Sequence, residues 1–126
     1  MQLKKKKMVK RICKGSDIQL NLNIKDKSGN VLRISDLDEY TIKIFTTFKQ
    51  TFCTGSWVKS TGVLTNIVVT ETADILLINA DDLAKLEEGL IYYQYHIKTA
   101  NASYPDGFID EVVEGETSFY LKDNRI

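Results

Sequence analysis

The sequence has 126 residues and a mass of 14.3 kDa, the size of one domain, which excludes a multidomain enzyme. At 43% hydrophobic residues it can bury a core; with two cysteines and one histidine it can build neither a disulfide scaffold nor a multi-ligand zinc cluster. Its net charge of zero hides an asymmetry: Lys4, Lys5, Lys6, Lys7, Lys10, Arg11 and Lys14 all precede the first acidic residue, Asp17, and residues 15–126 carry a net charge of −7.

Residues 1–14 therefore read as a basic N-terminal arm, and residues 15–126 as a single domain. The basic start lacks the apolar run of about 7–15 residues that a secretory signal needs, because charge interrupts residues 8–14 every two or three positions. No apolar run approaches the roughly 20 residues that span a bilayer. A soluble protein with reduced cysteines is expected.

Period-two alternation begins at Ile18, Leu20, Leu22 and Ile24, with polar residues between them, and predicts a half-buried strand. Residues 26–30 contain Gly29 and Asn30, which tolerate the positive φ of a tight turn, and residues 31–34 form a short return strand. Residues 35–39 read as one capped helical turn or a loop. Residues 40–52, rich in Thr, Ile, Phe and Tyr, suit one long strand or two. Residues 56–59, 66–70 and 74–79 are three further short strands between turn residues.

Residues 81–88 predict the one short helix, with Asp81 as its N-cap, Leu83 and Leu86 on one face, and Gly89 as its stop. Residues 90–99 resume the alternation, placing Ile91, Tyr93, Tyr95 and Ile97 on the core side and Tyr92, Gln94, His96 and Lys98 on the other. Tyr104, Pro105, Asp106 and Gly107 make a β-turn into the last extended segments, 108–113 and 117–122, separated by a bulge or turn at 114–116. The predicted fold class is all-β: an immunoglobulin-like β-sandwich of about seven to nine strands. The Cys…Trp…Cys pattern of antibody domains is missing, because Trp57 follows Cys53.

Catalytic chemistry finds little purchase. His96 is the single candidate general base, and its neighbours place it on a polar strand face. Cys13 and Cys53 carry no nucleophile signature and read as buried or half-buried thiols. Asp110, Glu111, Glu114 and Glu116 match no metal-loop spacing and read as a solvated acidic edge, whose charge guards against unwanted sheet pairing. The seven glycines are scattered singly, as turn residues rather than a phosphate-binding loop. No cofactor and no metal are expected.

The basic arm is the feature that asks for a function. Four consecutive lysines repel one another and cannot pack, and no aromatic residue is interleaved with them for base stacking. Docking onto an acidic protein surface and plain solubilising charge are the two main readings. On the first, Lys4, Lys5, Lys6, Lys7, Val9, Lys10, Arg11, Ile12 and Lys14 are the candidate partner-binding residues, with Val9 and Ile12 supplying apolar contact.

The stretch from Gly15 through Asp17, the alternating strand to Ile24 and the turn at Asp26–Gly29, followed by Leu37 and the Tyr40–Phe45 run, resembles the opening of small β-sandwich domains of tailed-phage virion proteins. The N-terminal domain of baseplate upper proteins is one such domain. The helical turn at Leu83–Gly89 and the strand after it are also similar. The whole layout, a basic arm and a lone sandwich, looks most like auxiliary capsid or head-decoration proteins of crAss-like phages. That resemblance implies a non-enzymatic virion protein, made in the bacterial cytoplasm, that binds the major capsid protein. It also leaves a tail, baseplate or head-fibre adaptor as the alternative. A carbohydrate-binding module is a third reading, with Tyr40, Trp57, Tyr92, Tyr93 and Tyr104 as an aromatic platform.

Overall fold

The computed structural model describes residues 9–47 and 51–123. In chain order these form β1 (Lys10–Cys13), β2 (Ile18–Asn21), β3 (Ile24–Lys25), β4 (Val31–Leu32), a 3-10 turn (Ile34–Asp36), β5 (Glu39–Phe45) and β6 (Cys53–Val58). There follow β7 (Val63–Thr65), β8 (Ile67–Val69), β9 (Asp74–Ile78), the short helix α1 (Ala80–Ala84), β10 (Gly89–Ala100) and β11 (Phe108–Lys122). The described residues thus hold eleven strands, two to four more than expected, because several are ladders of only two or three residues.

A six-stranded sheet in the order β1-β11-β10-β5-β6-β7 faces a three-stranded sheet, β2-β9-β8, with β3 and β4 forming a separate ladder. Every pairing is antiparallel except that of β1 with β11. The β11-β10-β5-β6-β7 order opposite β2-β9-β8 is the arrangement of a variable-type immunoglobulin sandwich. The fold is immunoglobulin-like and all-β, as the alternation predicts.

The core lies between the sheets and follows the predicted phases: Leu20, Ile42, Ile44, Ile91, Tyr95 and Ile97 are buried, while Leu22 and Tyr93 are partly buried against them. The sheets approach closely at Gly55, in the middle of β6, where a Cβ would stand 2.5 Å from Leu76 Cδ1 and 3.1 Å from Ile67 Cγ1. Gly55 is therefore a packing residue rather than the turn residue its isolation suggests. Gly115, inside β11, is a second, and the expected break at residues 114–116 is continuous strand.

The irregularity of β11 comes slightly later. Leu90 pairs with Tyr120 and Tyr92 with Glu116, so β11 carries two extra residues against β10. The hydroxyl of Thr117 fills the gap, donating to the Ile91 carbonyl at 2.7 Å and accepting from the Phe119 N–H at 3.1 Å.

Between β7 and β8 the chain passes from one sheet to the other at Asn66, whose φ of 59° is the sole positive value among described non-glycine residues. Its side-chain amide donates to the Thr54 carbonyl at 2.9 Å and holds the corner. Helix α1 starts two residues earlier than Asp81 capping requires, because the Asn79 side chain is the cap and accepts from the Asp82 N–H at 2.8 Å.

Candidate functional site

The structure corrects the limits of the arm. Lys10–Cys13 is a strand of the large sheet, paired in parallel with β11 from Lys10 opposite Phe119 to Cys13 opposite Lys122. Ile12 is 9% exposed and belongs to the core, so it is not a partner contact. Lys14 forms an ion pair with Asp123 at 2.9 Å and is likewise engaged within the domain. Val9, Lys10 and Arg11 remain exposed, while Lys4, Lys5, Lys6 and Lys7 lie outside the described residues. The physical reason is a long-range pairing: Ile12 finds Leu121 across the ladder, and that contact has no local signature.

The two outward faces of the sandwich differ in chemistry. On the large sheet, polar partners match across strands: Lys98 reaches Glu39 at 3.3 Å, His96 Nε2 lies 2.8 Å from Asp110, and Gln94 donates to Glu114 at 2.6 Å. Lys43 and Lys98 also lie over the rings of Phe52 and Phe108, at 5.1 and 4.6 Å from the centroids. On the small sheet, the strand phases turn Gln19, Asn21, Val68, Ile75 and Leu77 outward, and none is charged. Val68 is 44% and Leu77 39% exposed. Val63 and Leu64, on the edge strand β7 of the large sheet just before the corner at Asn66, are also exposed. In a chain of which 27% is charged, residues 60–70 contain no charged side chain.

A cleft of about 280 Å³ opens on the flank of the sandwich between β2 and β11, with Leu20, Leu22 and Tyr93 among its walls and Asn21, Asn23 and Glu116 at its rim. Tyr93 lies across β11 because Gly115 leaves room: a Cβ there would stand 2.5 Å from the Tyr93 hydroxyl. The proposed sugar platform is not assembled. Tyr40 is buried, the Trp57 indole donates to the Leu37 carbonyl at 2.9 Å, Tyr92 stacks on Phe45, and Tyr104 is exposed in the turn after β10.

His96 sits on the exposed polar face, as its strand phase predicts, with Asp110 as partner. Cys13 is exposed and Cys53 buried, at opposite sides of the large sheet, and both are free. Burial pushes the Cys53 thiol up to about 11, reinforced by the negative charge of Asp82, whose carbonyl lies 3.5 Å from the sulfur. Among the described residues no three His, Cys, Asp or Glu side chains gather where they could hold a metal ion.

One buried charge escaped the sequence reading. Asp74 shares its strand phase with buried Leu76 and Ile78, which places a carboxylate inside the sandwich and calls for a cation. Arg33 supplies it, at 2.9 Å. The phase of Asp74 is the signal in the sequence; its partner, 41 positions away, has none.

No protein-family model and no curated protein matches the chain. A solved structure, the extracellular portion of mouse CD200RLa, is similar to it over 92% of the chain, with 14% identity and a TM-score of 0.44. The match spans 55% of that receptor fragment.

Proposed function

We propose that the protein is a non-enzymatic structural component of a phage virion, an immunoglobulin-like domain that decorates the capsid by binding the major capsid protein. The observation that supports a binding role is the uncharged outer face of the small sheet, with Val68, Ile75 and Leu77 at its centre and the amides of Gln19 and Asn21 at its rim. Depletion of charge at the centre of a patch is what distinguishes a protein contact from ordinary surface. The opposite face, with its cross-strand ion pairs, has the ordinary composition. The virion setting is supported by the sequence resemblance at Gly15–Gly29 and Leu83–Tyr95.

The face spans only three short strands, so one contact is small and gives weak attachment on its own. Repetition over a capsid lattice compensates, because each subunit of the shell offers the same site. Mass spectrometry and electron microscopy of purified particles test the reading. The expected result is density for a sandwich seated on capsid subunits by its three-stranded sheet. A Val68→Lys, Leu77→Lys variant should keep its thermal midpoint and be missing from particles. Density at the tail or on head fibres would support the adaptor reading instead. Absence of the chain from particles would overturn the virion assignment altogether.

A further inference from the structure

Strand β11 is paired with β10 along one edge from Phe108 to Leu121. Its other edge receives β1 over Phe119–Lys122 and, among the described residues, nothing else. That edge runs through a segment bearing Asp110, Glu111, Glu114 and Glu116. Among the described residues the partners of the first three are the His96 ring, the Lys27 backbone N–H and the Gln94 amide, and none of the three is ion-paired with a lysine or arginine side chain.

The direction of β1 matters here. It is parallel to β11, with Lys10 opposite Phe119, so positions counted back from Lys10 correspond to positions counted back from Phe119 along the acidic edge. The four lysines stand three to six positions before Lys10. At no more than about 3.6 Å per residue, that separation reaches roughly 10–20 Å, which continues the register to positions 113–116 and so to two of the carboxylates, Glu114 and Glu116. Sign, position and reach agree.

We infer that the edge of β11 between Val113 and Glu116 is the docking surface for the Lys4–Lys7 run of the same chain. This inference is independent of the virion reading. Acidic residues on an exposed edge repel a second edge of the same kind, and the same charge selects a cationic segment. Continuity with β1 lowers the cost of bringing the segment there, since Ile12 and the Lys14–Asp123 ion pair already anchor the chain at the near end. Each exposed pair is weak and salt-sensitive, so the docking is a matter of accumulated charge rather than of one geometry.

A double-mutant cycle on the full chain tests it. One arm replaces Lys4, Lys5, Lys6 and Lys7 by Gln, the other replaces Glu114 and Glu116 by Gln, and the fourth protein carries both sets. All of these substitutions remove charge without shortening the chain, and neither carboxylate belongs to the core. At low ionic strength, neutralising the carboxylates should lower the thermal midpoint of the lysine-bearing chain by about 3 °C more than that of the glutamine-bearing chain. This coupling should vanish at 1 M salt, where the screening length is about 3 Å. Amide exchange across residues 113–116 should be slower with the lysines than without them. Additive effects at low salt, with equal exchange rates, would overturn the inference. A coupling that appears only as the protein dimerises would overturn it too, by assigning the lysines to a second copy.

Discussion

Arg33 closes on Asp74 with two bonds: Nε lies 3.1 Å from Oδ2 and Nη2 lies 2.9 Å from Oδ1, and the carboxylate residue is only 2% exposed. The same guanidinium donates to the carbonyls of Thr70 at 2.6 Å and Glu71 at 3.2 Å, while Asp74 Oδ2 accepts the Ile34 N–H at 2.9 Å. A planar fork meeting a carboxylate edge is the strongest common geometry for such a pair. The hydrogen bond that Arg33 donates to Asp74 holds the arginine pKa above its ordinary value, although partial desolvation works against it. One ion pair thereby ties the start of the 3-10 turn to the turn between β8 and β9, on the small sheet.

Arg33→Ala should be among the most damaging single changes, because it leaves a buried carboxylate unpaired. The expected result is a clear fall in the denaturant midpoint of unfolding. Asp74→Asn keeps an acceptor for the Ile34 N–H and removes the charge, so it should cost less than Arg33→Ala. Equal stability of wild type and Arg33→Ala would show that the carboxylate is not held by this pair.

Glycines offer a second test, because two of them are crowded in different ways. At Gly55 an added Cβ meets Leu76 and Ile67, both buried between the sheets, and neither has room to move. At Gly115 it meets the hydroxyl end of Tyr93, a half-buried ring on the open flank that can swing toward solvent. Gly55→Ala should therefore cost about 1–3 kcal/mol, the usual range for overpacking, and Gly115→Ala less. Tyrosine fluorescence or the ring proton shifts of Tyr93 should change in Gly115→Ala alone. The reverse order of stabilities would mean that the flank, not the sheet contact, is the tighter of the two.

The alternating strands were legible because each carries its own evidence: Ile91, Tyr93, Tyr95 and Ile97 face inward whatever their partners are. What was not legible depends on residues far apart in the chain. Lys10 and Arg11 look like part of a cationic tail until Ile12 is seen opposite Leu121. Glu114, Gly115 and Glu116 look like a turn until Tyr93 is seen lying over the glycine. The small sheet's outer face hid for another reason: Val68 and Leu77 are ordinary strand residues, and their exposure follows only from which face of which sheet they occupy.

Tyr95 shows how a core residue can also fix a loop. Its hydroxyl accepts the Lys25 N–H at 3.1 Å and donates to the Lys25 carbonyl at 3.0 Å, pinning the β3–β4 ladder to β10. Tyr95→Phe keeps the ring, including its contact with Tyr40 at 5.7 Å between centroids, and removes both bonds. The expected cost is about 1–3 kcal/mol, and the Lys25 amide should exchange markedly faster. Unchanged exchange at Lys25 would show that the ladder is held by its own packing.

The two cysteines should behave oppositely toward a thiol reagent, and the buried one ties stability to pH. Cys13 is exposed and should react in the folded protein, whereas Cys53 is buried and should react only on unfolding. Because burial raises the Cys53 thiol from its ordinary 9.0 to about 11, the folded state retains a proton that the unfolded state releases between these values. Unfolding is then favoured by rising pH, so the contribution is fully present below about pH 9 and is lost as pH approaches 11. Burial also raises Tyr40 and Tyr95 above the ordinary tyrosine value, which extends the loss to higher pH with the same sign. Cys53→Ala removes the first of these groups, so its unfolding free energy should fall less steeply between pH 9 and 11 than that of the parent. Identical slopes for the two proteins, or labelling of Cys53 as fast as Cys13 in the folded state, would contradict a buried, protonated thiol at this position.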